Sequence, residues 1–316
     1  MSQGRDLVGV VVLNWNQEQD TTECLESLRL VRDVPLRVIL VDNGSAPDSV
    51  ERLERRFPEA IVLRLGQNRG FAGGNNVGIA RALDEGASHV LLLNNDTLVE
   101  AGFLTPLLEA LRRDGAGVAG PKIYHHPETD RLWFAGGMID WRTGRQWHLG
   151  AGERDQGQWD VPRPVDYVTA CCLLAPASVF REVGVLDERY FIYFEETDWS
   201  LRVRRRGYAC WYEPKSRIYH KVSRAMRSES PASDYYYARN RLLLFRDHAP
   251  VLRRPLLLLL YTLRSLRFAW TRHRRGLSDN ARAVIRGVRD FHAGRFGRCP
   301  LHFNQAPAVR PGARTG

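Results

Sequence analysis

His89-Val90-Leu91-Leu92-Leu93-Asn94-Asn95-Asp96-Thr97 decides the fold of this chain. Val90 to Leu93 form an unbroken apolar run, as expected of a strand covered on both faces in a parallel sheet flanked by helices. The run stops on Asn94, Asn95 and Asp96, where the strand should leave the core. Ligands of open α/β sheets sit outside the carboxyl ends of strands, which places Asp96 for chemistry. A hard divalent cation favours carboxylate oxygen and can bridge it to a diphosphate. A second reading competes here, because Asn, Asp and Thr also cap helices and residues 99–113 have helical character.

Upstream, the same pattern of apolar strand and polar end occurs three times. Leu7-Val8-Gly9-Val10-Val11-Val12-Leu13 ends in Asn14-Trp15-Asn16, and Arg37-Val38-Ile39-Leu40-Val41 ends in Asp42-Asn43-Gly44-Ser45. Residues 61–65 run into the glycine-rich segment 66–76. Helices are expected between them. Cys24, Leu25, Leu28 and Val31 make a helical stripe behind a capping-box spacing at Asp20 and Glu23. Pro47 opens a helix reaching Phe57, and a third helix runs to about Glu85. Strands alternating with helices over the first 113 residues argue for βαβ units and a parallel sheet. Four strand ends then deliver Asn14 and Asn16, Asp42 and Asn43, Asn68 and Arg69, and Asn95 and Asp96 to one edge. Gly70, Gly73 and Gly74 permit close backbone approach to a ligand. Neither GxGxxG after the first strand nor GxxxxGK[ST] is present, so a nucleotide would be held differently from a dinucleotide or a P-loop ligand.

Downstream the pattern changes. Residues 116–165 carry Trp133, Trp141, Trp147 and Trp159 among Gly, Arg and Asp and read as an irregular, partly antiparallel insertion. Such aromatics can stack on sugar rings or pack on the sheet edge. Residues 208–212 read as an edge strand. Tyr193-Phe194-Glu195-Glu196-Thr197-Asp198-Trp199 delivers three acids within four residues after an aromatic run. Apolar neighbours raise carboxyl pKa values, which suits a general base. Acids favoured by a helix dipole give the alternative reading. His220 is a candidate metal ligand, although a lone histidine is more often structural.

The 316-residue chain is 44% hydrophobic and 26% charged, a globular composition. Its charge is uneven: residues 246–298 hold 13 Arg, no Lys and three Asp, whereas the first 245 residues carry 31 Lys and Arg against 33 Asp and Glu. A basic tail of this kind suits an anionic surface. Motifs for nucleic-acid binding are absent, so no nucleic-acid partner is expected. Cysteines 24, 171, 172, 210 and 299 show no metal spacing, as expected of idle thiols in a reducing compartment. There is no signal-peptide pattern and no apolar run of about 18 residues, so a cytoplasmic location is expected.

Taken in order, Val12-Leu13-Asn14-Trp15-Asn16, Val41-Asp42-Asn43-Gly44-Ser45, Asn68-Arg69-Gly70-Phe71-Ala72-Gly73-Gly74-Asn75, Leu93-Asn94-Asn95-Asp96-Thr97, the Glu195–Glu196 segment and the His220 segment resemble family 2 glycosyltransferases. The resemblance is to their rhamnosyltransferase-like branch, which builds bacterial polysaccharides, and it runs from about Leu7 to His248. It implies an α/β GT-A fold and an inverting transfer from a nucleotide-diphosphate sugar to a glycan acceptor carried on polyprenyl diphosphate. On this likeness Asn14, Asn16, Asp42, Asn43, Asn68, Arg69, Gly70, Gly73, Asn75, Asn95 and Asp96 line the nucleotide-sugar site. Asp96 and His220 would hold a divalent metal, Mg²⁺ or Mn²⁺. The family's Glu-Asp pair is Glu195-Glu196 here, so Glu196 falls at the base position, with Glu195 and Asp198 beside it and Asp198 a rival for the role. An inactive nucleotide-sugar-binding scaffold is the alternative.

The expected organisation is a domain over residues 1–248, with a nucleotide-binding half to residue 113 and a catalytic half after it. A basic helical extension over 249–298 and a disordered tail over 299–316 would follow. The extension combines Leu256, Leu257, Leu258, Leu259, Leu260, Leu263 and Leu266 with flanking arginines, which suits a helix lying in the interface on the inner face of the cell membrane.

Overall fold

The computed structural model describes residues 6–222 and 230–299. Residues 300–316, most of the expected disordered tail, and Ser223 at the end of the His220 segment lie outside the described residues.

The amino-terminal half alternates as its sequence demands. Strand β1 (Val8–Asn14) leads to α1 (Glu18–Leu28), β2 (Leu36–Asp42), α2 (Pro47–Arg56), β3 (Ile61–Arg64), α3 (Gly70–Asp84) and β4 (His89–Asn94). β1 pairs in parallel with both β2 and β4, and β2 pairs in parallel with β3. The apolar runs serve two layers. Val10, Val12, Leu91 and Leu93 pack with Leu25 and Leu28 of α1, while Val11, Val90 and Leu92 pack with Ile79 and Ala82 of α3. A Cβ on Gly78 of α3 would collide with the Val11 side chain, so only glycine lets this helix lie so close to β1.

Two local expectations fail. The first helix starts at Glu18 without a side-chain cap. Asp20 and Glu23 instead both accept from Lys221 Nζ, a tertiary contact that replaces the capping box. Beyond β4, Thr97–Val99 forms a short strand, β5, and the helix α4 begins only at Leu104 (Leu104–Leu111), with no side-chain cap. Asp96 therefore caps no helix.

The region read as an irregular insertion supplies a central strand, β6 (Ala116–His125), with nine of its ten residues buried. Short antiparallel pieces follow: β7 (Leu132–Phe134), β8 (Gly137–Asp140), β9 (Arg145–His148) and β10 (Arg163–Val165). Then come β11 (Cys172–Pro176), α5 (Ala177–Val183), α6 (Glu195–Arg205) and β12 (Ala209–His220). β12 is no edge strand. It runs parallel to β6 and takes β10 and β5 on its other side, giving the order β10-β12-β6-β11-β4-β1-β2-β3.

Helices α7 (Pro231–His248), α8 (Arg254–Arg274) and α9 (Ser278–His292) complete the described chain. Leu242 and Phe245 of α7, Leu257 and Tyr261 of α8, and Val284 and Phe291 of α9 share one apolar cluster with Ile139, Tyr167 and Phe194. Cys24, Cys171, Cys172, Cys210 and Cys299 are free thiols, the first four buried.

Candidate active site

The carboxyl ends of β1, β2 and β4 form one wall of a cleft, and their polar residues are cross-linked. Asn14 Nδ2 donates to Asp42 Oδ1 (3.3 Å) and to Ser45 Oγ (3.2 Å). The other Asp42 oxygen accepts from the backbone N–H groups of Gly44 and Ser45. Asn43 Nδ2 donates to Asn68 Oδ1, and Asn43 Oδ1 accepts from the Arg69 N–H. Asn95 Nδ2 donates to Thr21 Oγ1, and Asn16 Oδ1 accepts from the Ala46 N–H. Strand register thus brings Asn14, Asn16, Asp42, Asn43 and Asn68 together, with the Arg69 side chain exposed beside them.

The glycine-rich segment behaves differently from expectation. A Cβ on Gly70 (φ +79°) would strike Phe191, one on Gly73 would crowd the Arg69 side chain, and one on Gly74 would strike Leu13. These glycines admit other parts of the protein, where close approach of a ligand was expected. Asn75 is buried in α3 and donates to the Phe71 carbonyl.

At the end of β4, buried Asp96 meets His220 of β12, with His220 Nε2 3.1 Å from Asp96 Oδ1. An ionised carboxylate only accepts, so Nε2 carries the proton. Nδ1, also buried, has no hydrogen-bond partner. No group of three or more His, Cys, Asp or Glu suited to a metal occurs among the described residues. One carboxylate and one imidazole still fit a cation that takes its remaining ligands from substrate oxygens, as Mg²⁺ commonly does with phosphates.

The opposite wall centres on Glu195 and Glu196 in the first turn of α6. Phe191, Tyr193 and Phe194 just before it all have positive φ, 66°, 69° and 75°. Such conformations cost on the order of 1–3 kcal/mol each and need outside support. α7 provides it. Asn240 Nδ2 donates to the carbonyls of Tyr190, Ile192 and Tyr193 (2.8–3.0 Å), and Arg239 Nη2 to those of Arg189 and Tyr190.

A cavity of about 390 Å³ reaches from Asn94 at the end of β4 and His220 of β12 to His148, Glu195, Glu196 and Arg241, while Asn14, Asp42, Asn43, Asn68 and Asp96 stand outside its lining. Burial, then the charges of Glu196 and Asp198, push the Glu195 carboxyl well above its ordinary range. Burial also pushes Glu196 up, to about 7. Asp198 lies outside the cavity lining. Burial alone would raise its pKa, but a 2.6 Å hydrogen bond from His248 and the Arg202 guanidinium outweigh that effect and hold it low. A larger groove of about 1080 Å³ opens at the start of β2 beside α1 and α4. It lies at the amino ends of the strands, away from the polar strand ends.

Residues that sequence reasoning did not assign to the site also line the cavity: Gln146, Trp147 and His148 of β9, and Tyr237 and Arg241 of α7. Gln146 Nε2 donates to Thr197 Oγ1 beside Glu196 (2.8 Å). Burial pushes His148 down to about 4, so it stays neutral. The alternation in Arg145-Gln146-Trp147-His148 and the polar pair Arg239-Asn240 inside an apolar helix were the available signals.

The sequence profile described as glycosyl transferase family 2 matches residues 9–184. The chain is 29% identical over 255 residues to an N-acetylglucosaminyl-diphospho-decaprenol L-rhamnosyltransferase of Mycobacterium tuberculosis, covering 72% of this chain and 80% of that one. It is 23% identical over 251 residues to a dTDP-rhamnosyl transferase of Shigella flexneri, covering 77% and 81%. Among solved structures, a mannosyltransferase of Pyrobaculum calidifontis in complex with GDP-Man and Mn²⁺ superposes with a TM-score of 0.54 at 15% identity, over 90% of this chain and 75% of that one. GalNAc-T7 with UDP, GalNAc and Mn²⁺ gives 0.57 at 15% identity, over 76% and 51%. The shared architecture is the GT-A fold.

Proposed function

The chain belongs to glycosyl transferase family 2, and from that premise we propose an inverting, metal-dependent transfer of rhamnose from dTDP-rhamnose to a glycan on polyprenyl diphosphate. That it is a glycosyltransferase follows from the family; the sugar, the nucleotide and the acceptor are proposals drawn from the two rhamnosyltransferase relatives. One observation carries the chemistry. A single cavity has the Asp96-bonded His220 on one side and Glu196, with its raised pKa, on the other.

The cross-linked strand ends around Asp42 and Asn43 hold the nucleotide. Asp96, with His220, would hold a divalent cation, which when bound neutralises charge on the departing diphosphate. Glu196 takes the proton from the acceptor hydroxyl as that oxygen bonds to the anomeric carbon. A base with its pKa near neutrality is matched to this task. Glu195, kept protonated by burial, leaves the negative charge to its neighbour. Asp198 holds α6 in place through His248 and Arg202. Displacement of the diphosphate from the opposite side inverts the anomeric carbon.

A panel of dTDP-, UDP- and GDP-sugars, assayed with and without Mg²⁺ or Mn²⁺ on a short-chain polyprenyl-diphosphate N-acetylglucosamine, tests the reading. Metal-dependent transfer from dTDP-rhamnose with inverted configuration is expected. Transfer unaffected by chelator, or binding of nucleotide sugar with no transfer to any acceptor, overturns it.

Among the described residues no helix is long and apolar enough to cross a membrane. α8 nevertheless exposes a leucine stripe. Leu252 just before the helix and Leu256, Leu259, Leu263, Leu266 and Trp270 within it recur at alternating spacings of four and three and are 43–95% exposed, opposite the buried Leu257 and Tyr261. No acid occurs between Asp247 and Asp279, and Arg253, Arg264, Arg267 and Arg274 flank the stripe. An anionic leaflet complements both features. A second copy of the chain would set arginine against arginine. We therefore place the enzyme peripherally on the cytoplasmic face of the membrane.

A further inference from the structure

We propose that Arg241 forms the anion-binding subsite on the acceptor side of the cleft and takes the diphosphate of the lipid-linked acceptor. Arg241 lies on α7 one turn beyond Tyr237, and both line the cavity that contains Glu196. Its guanidinium carbon stands 5.5 Å from the centre of the Phe194 ring and 5.4 Å from that of Tyr261. Its Nε is buried and has no hydrogen-bond partner. No ion pair involving Arg241 occurs among the described residues.

The two fully buried arginines of this helical region have polar or charged partners. Arg239 donates to the carbonyls of Arg189, Tyr190 and Gly297, and Arg272 pairs with Asp234. A largely buried guanidinium without an anion is costly, because the charge loses water and gains only the two ring contacts in return. The two glutamates do not fill that role. Neither lies within ion-pair distance, and both carboxyls are pushed up, whereas a cation paired with them would hold them down. The missing partner is an anion that arrives with substrate.

Position decides which anion. The donor diphosphate belongs at the Asp96–His220 end, on β4 and β12. Arg241 belongs to the wall built by α7 and α8. Its guanidinium contacts Tyr261 on the inner face of α8, whose outer face carries the leucine stripe. A helix with its side chains is about 10 Å across, so the guanidinium stands roughly that far from the surface proposed to meet lipid. A lipid-linked diphosphate has its charge at this depth, and the guanidinium fork matches phosphate oxygens in pairs. Phe194 and Tyr261 both contact the fork through their rings without using its donors.

The inference rests on the lipid-diphosphate reading of the acceptor, and its test is separable from it. Full-length protein and Arg241→Gln are titrated with farnesyl diphosphate, farnesol, dTDP and phosphatidylglycerol vesicles. Wild type should prefer farnesyl diphosphate to farnesol by about 10- to 100-fold, the worth of charge-assisted hydrogen bonds. Arg241→Gln should erase that preference, Arg241→Lys should restore part of it, and dTDP affinity and melting temperature should hold. Four results overturn the assignment: no diphosphate preference in wild type, an undiminished preference in Arg241→Gln, a loss of dTDP binding instead, or a loss confined to the vesicles. The last would make Arg241 a phospholipid contact. Failure of sugar transfer to lipid-linked acceptors, with the Arg241-dependent preference intact, would count against the acceptor reading alone.

Discussion

The two walls of the cleft are built on different principles. The wall proposed to take the donor consists of strand ends, and its polar residues are tied to one another within a turn or across adjacent strands, as in Asn14 to Asp42 and Asn43 to Asn68. Sheet register puts Asn14 and Asp42 side by side, and short hydrogen-bonded turns bring Asn43 and Asn68 to them. The acceptor wall hangs on residues 190–194, three of them with positive φ, and on donors supplied nearly fifty residues later by Arg239 and Asn240. A site made from strand ends is rigid by inheritance, whereas one made from a strained loop is as rigid as its clamp.

The largest expected effect separates the walls by chemistry. Glu196→Gln should lower the transfer rate by about 100- to 10,000-fold while dTDP-rhamnose still binds, since a positioned base contributes on that order. Wild-type transfer should rise as pH climbs through about 7, the value to which burial pushes Glu196, and lose activity below it as the base is protonated. Full activity of the variant, or an Asp198→Asn change that cripples transfer while Glu196→Gln is harmless, would move the role elsewhere. Asp96→Asn should collapse metal-dependent transfer with folding nearly intact, measured by rate and by melting temperature.

The clamp gives the next effect. Asn240→Ala removes the donor from three carbonyls and should reduce kcat by about 10- to 100-fold, the scale of a 1 Å misplacement of reacting groups, with little change in donor affinity. Asn43→Ala should do the reverse, raising the KM for donor and sparing kcat. Equal behaviour of the two variants would erase the distinction between the walls.

Smaller still is a stability effect confined to the acceptor wall. A carboxyl whose folded pKa lies above its unfolded value holds a proton that the unfolded chain releases. Stability therefore falls as pH rises from the ordinary 4.5 through the raised value of Glu196, near 7, and through the raised range of Glu195. Glu195→Gln removes part of that loss and should raise the melting temperature at pH 8 by about 2–4 °C, roughly 1 kcal/mol in a chain of this class. An unchanged or lower value would mean that Glu195 is not held protonated. On the lipid side, Leu259→Glu with Leu263→Glu should reduce flotation with anionic liposomes several-fold, and raised salt should weaken but not abolish wild-type binding. Full-length protein that stays at the bottom of a low-salt gradient removes the membrane reading.

Legibility in the sequence follows the same division. Each polar strand end follows its own apolar run, so a local rule places Asn14, Asp42, Asn43 and Asp96 at one edge of the sheet. The central strands of the second half were hidden by composition. β6 reads Ala-Gly-Val-Ala-Gly-Pro-Lys-Ile-Tyr-His, and its buried Lys122 is tolerable only because Asp155 and Asp160 come from a distant loop. β12 contains Pro214, a residue excluded from regular interior strands, and a register shift between Glu213 and Arg217 makes room for it. The alternation in Arg145-Gln146-Trp147-His148 marks a strand, but only tertiary packing brings Trp147, His148 and Arg241 to the cavity. The basic tail was legible in charge, but α8 also has an inner face, and Tyr261 there donates to the Gly144 carbonyl.

That inner face limits how the enzyme can be shortened. An engineer seeking a minimal catalyst would be tempted to cut after His248, where the leucine- and arginine-rich stretch begins. The clamp on residues 190–194 does not end there. Arg239 Nη1 donates to the carbonyl of Gly297, Asp290 accepts from the Tyr235 hydroxyl, and Asp234 takes Arg272 and Asn280. α7 is thus held in register by residues that look dispensable in a motif diagram. The smallest useful version of this enzyme therefore extends at least to Gly297, and attempts to improve its handling should repaint the outer leucines of α8 and leave the helix in place.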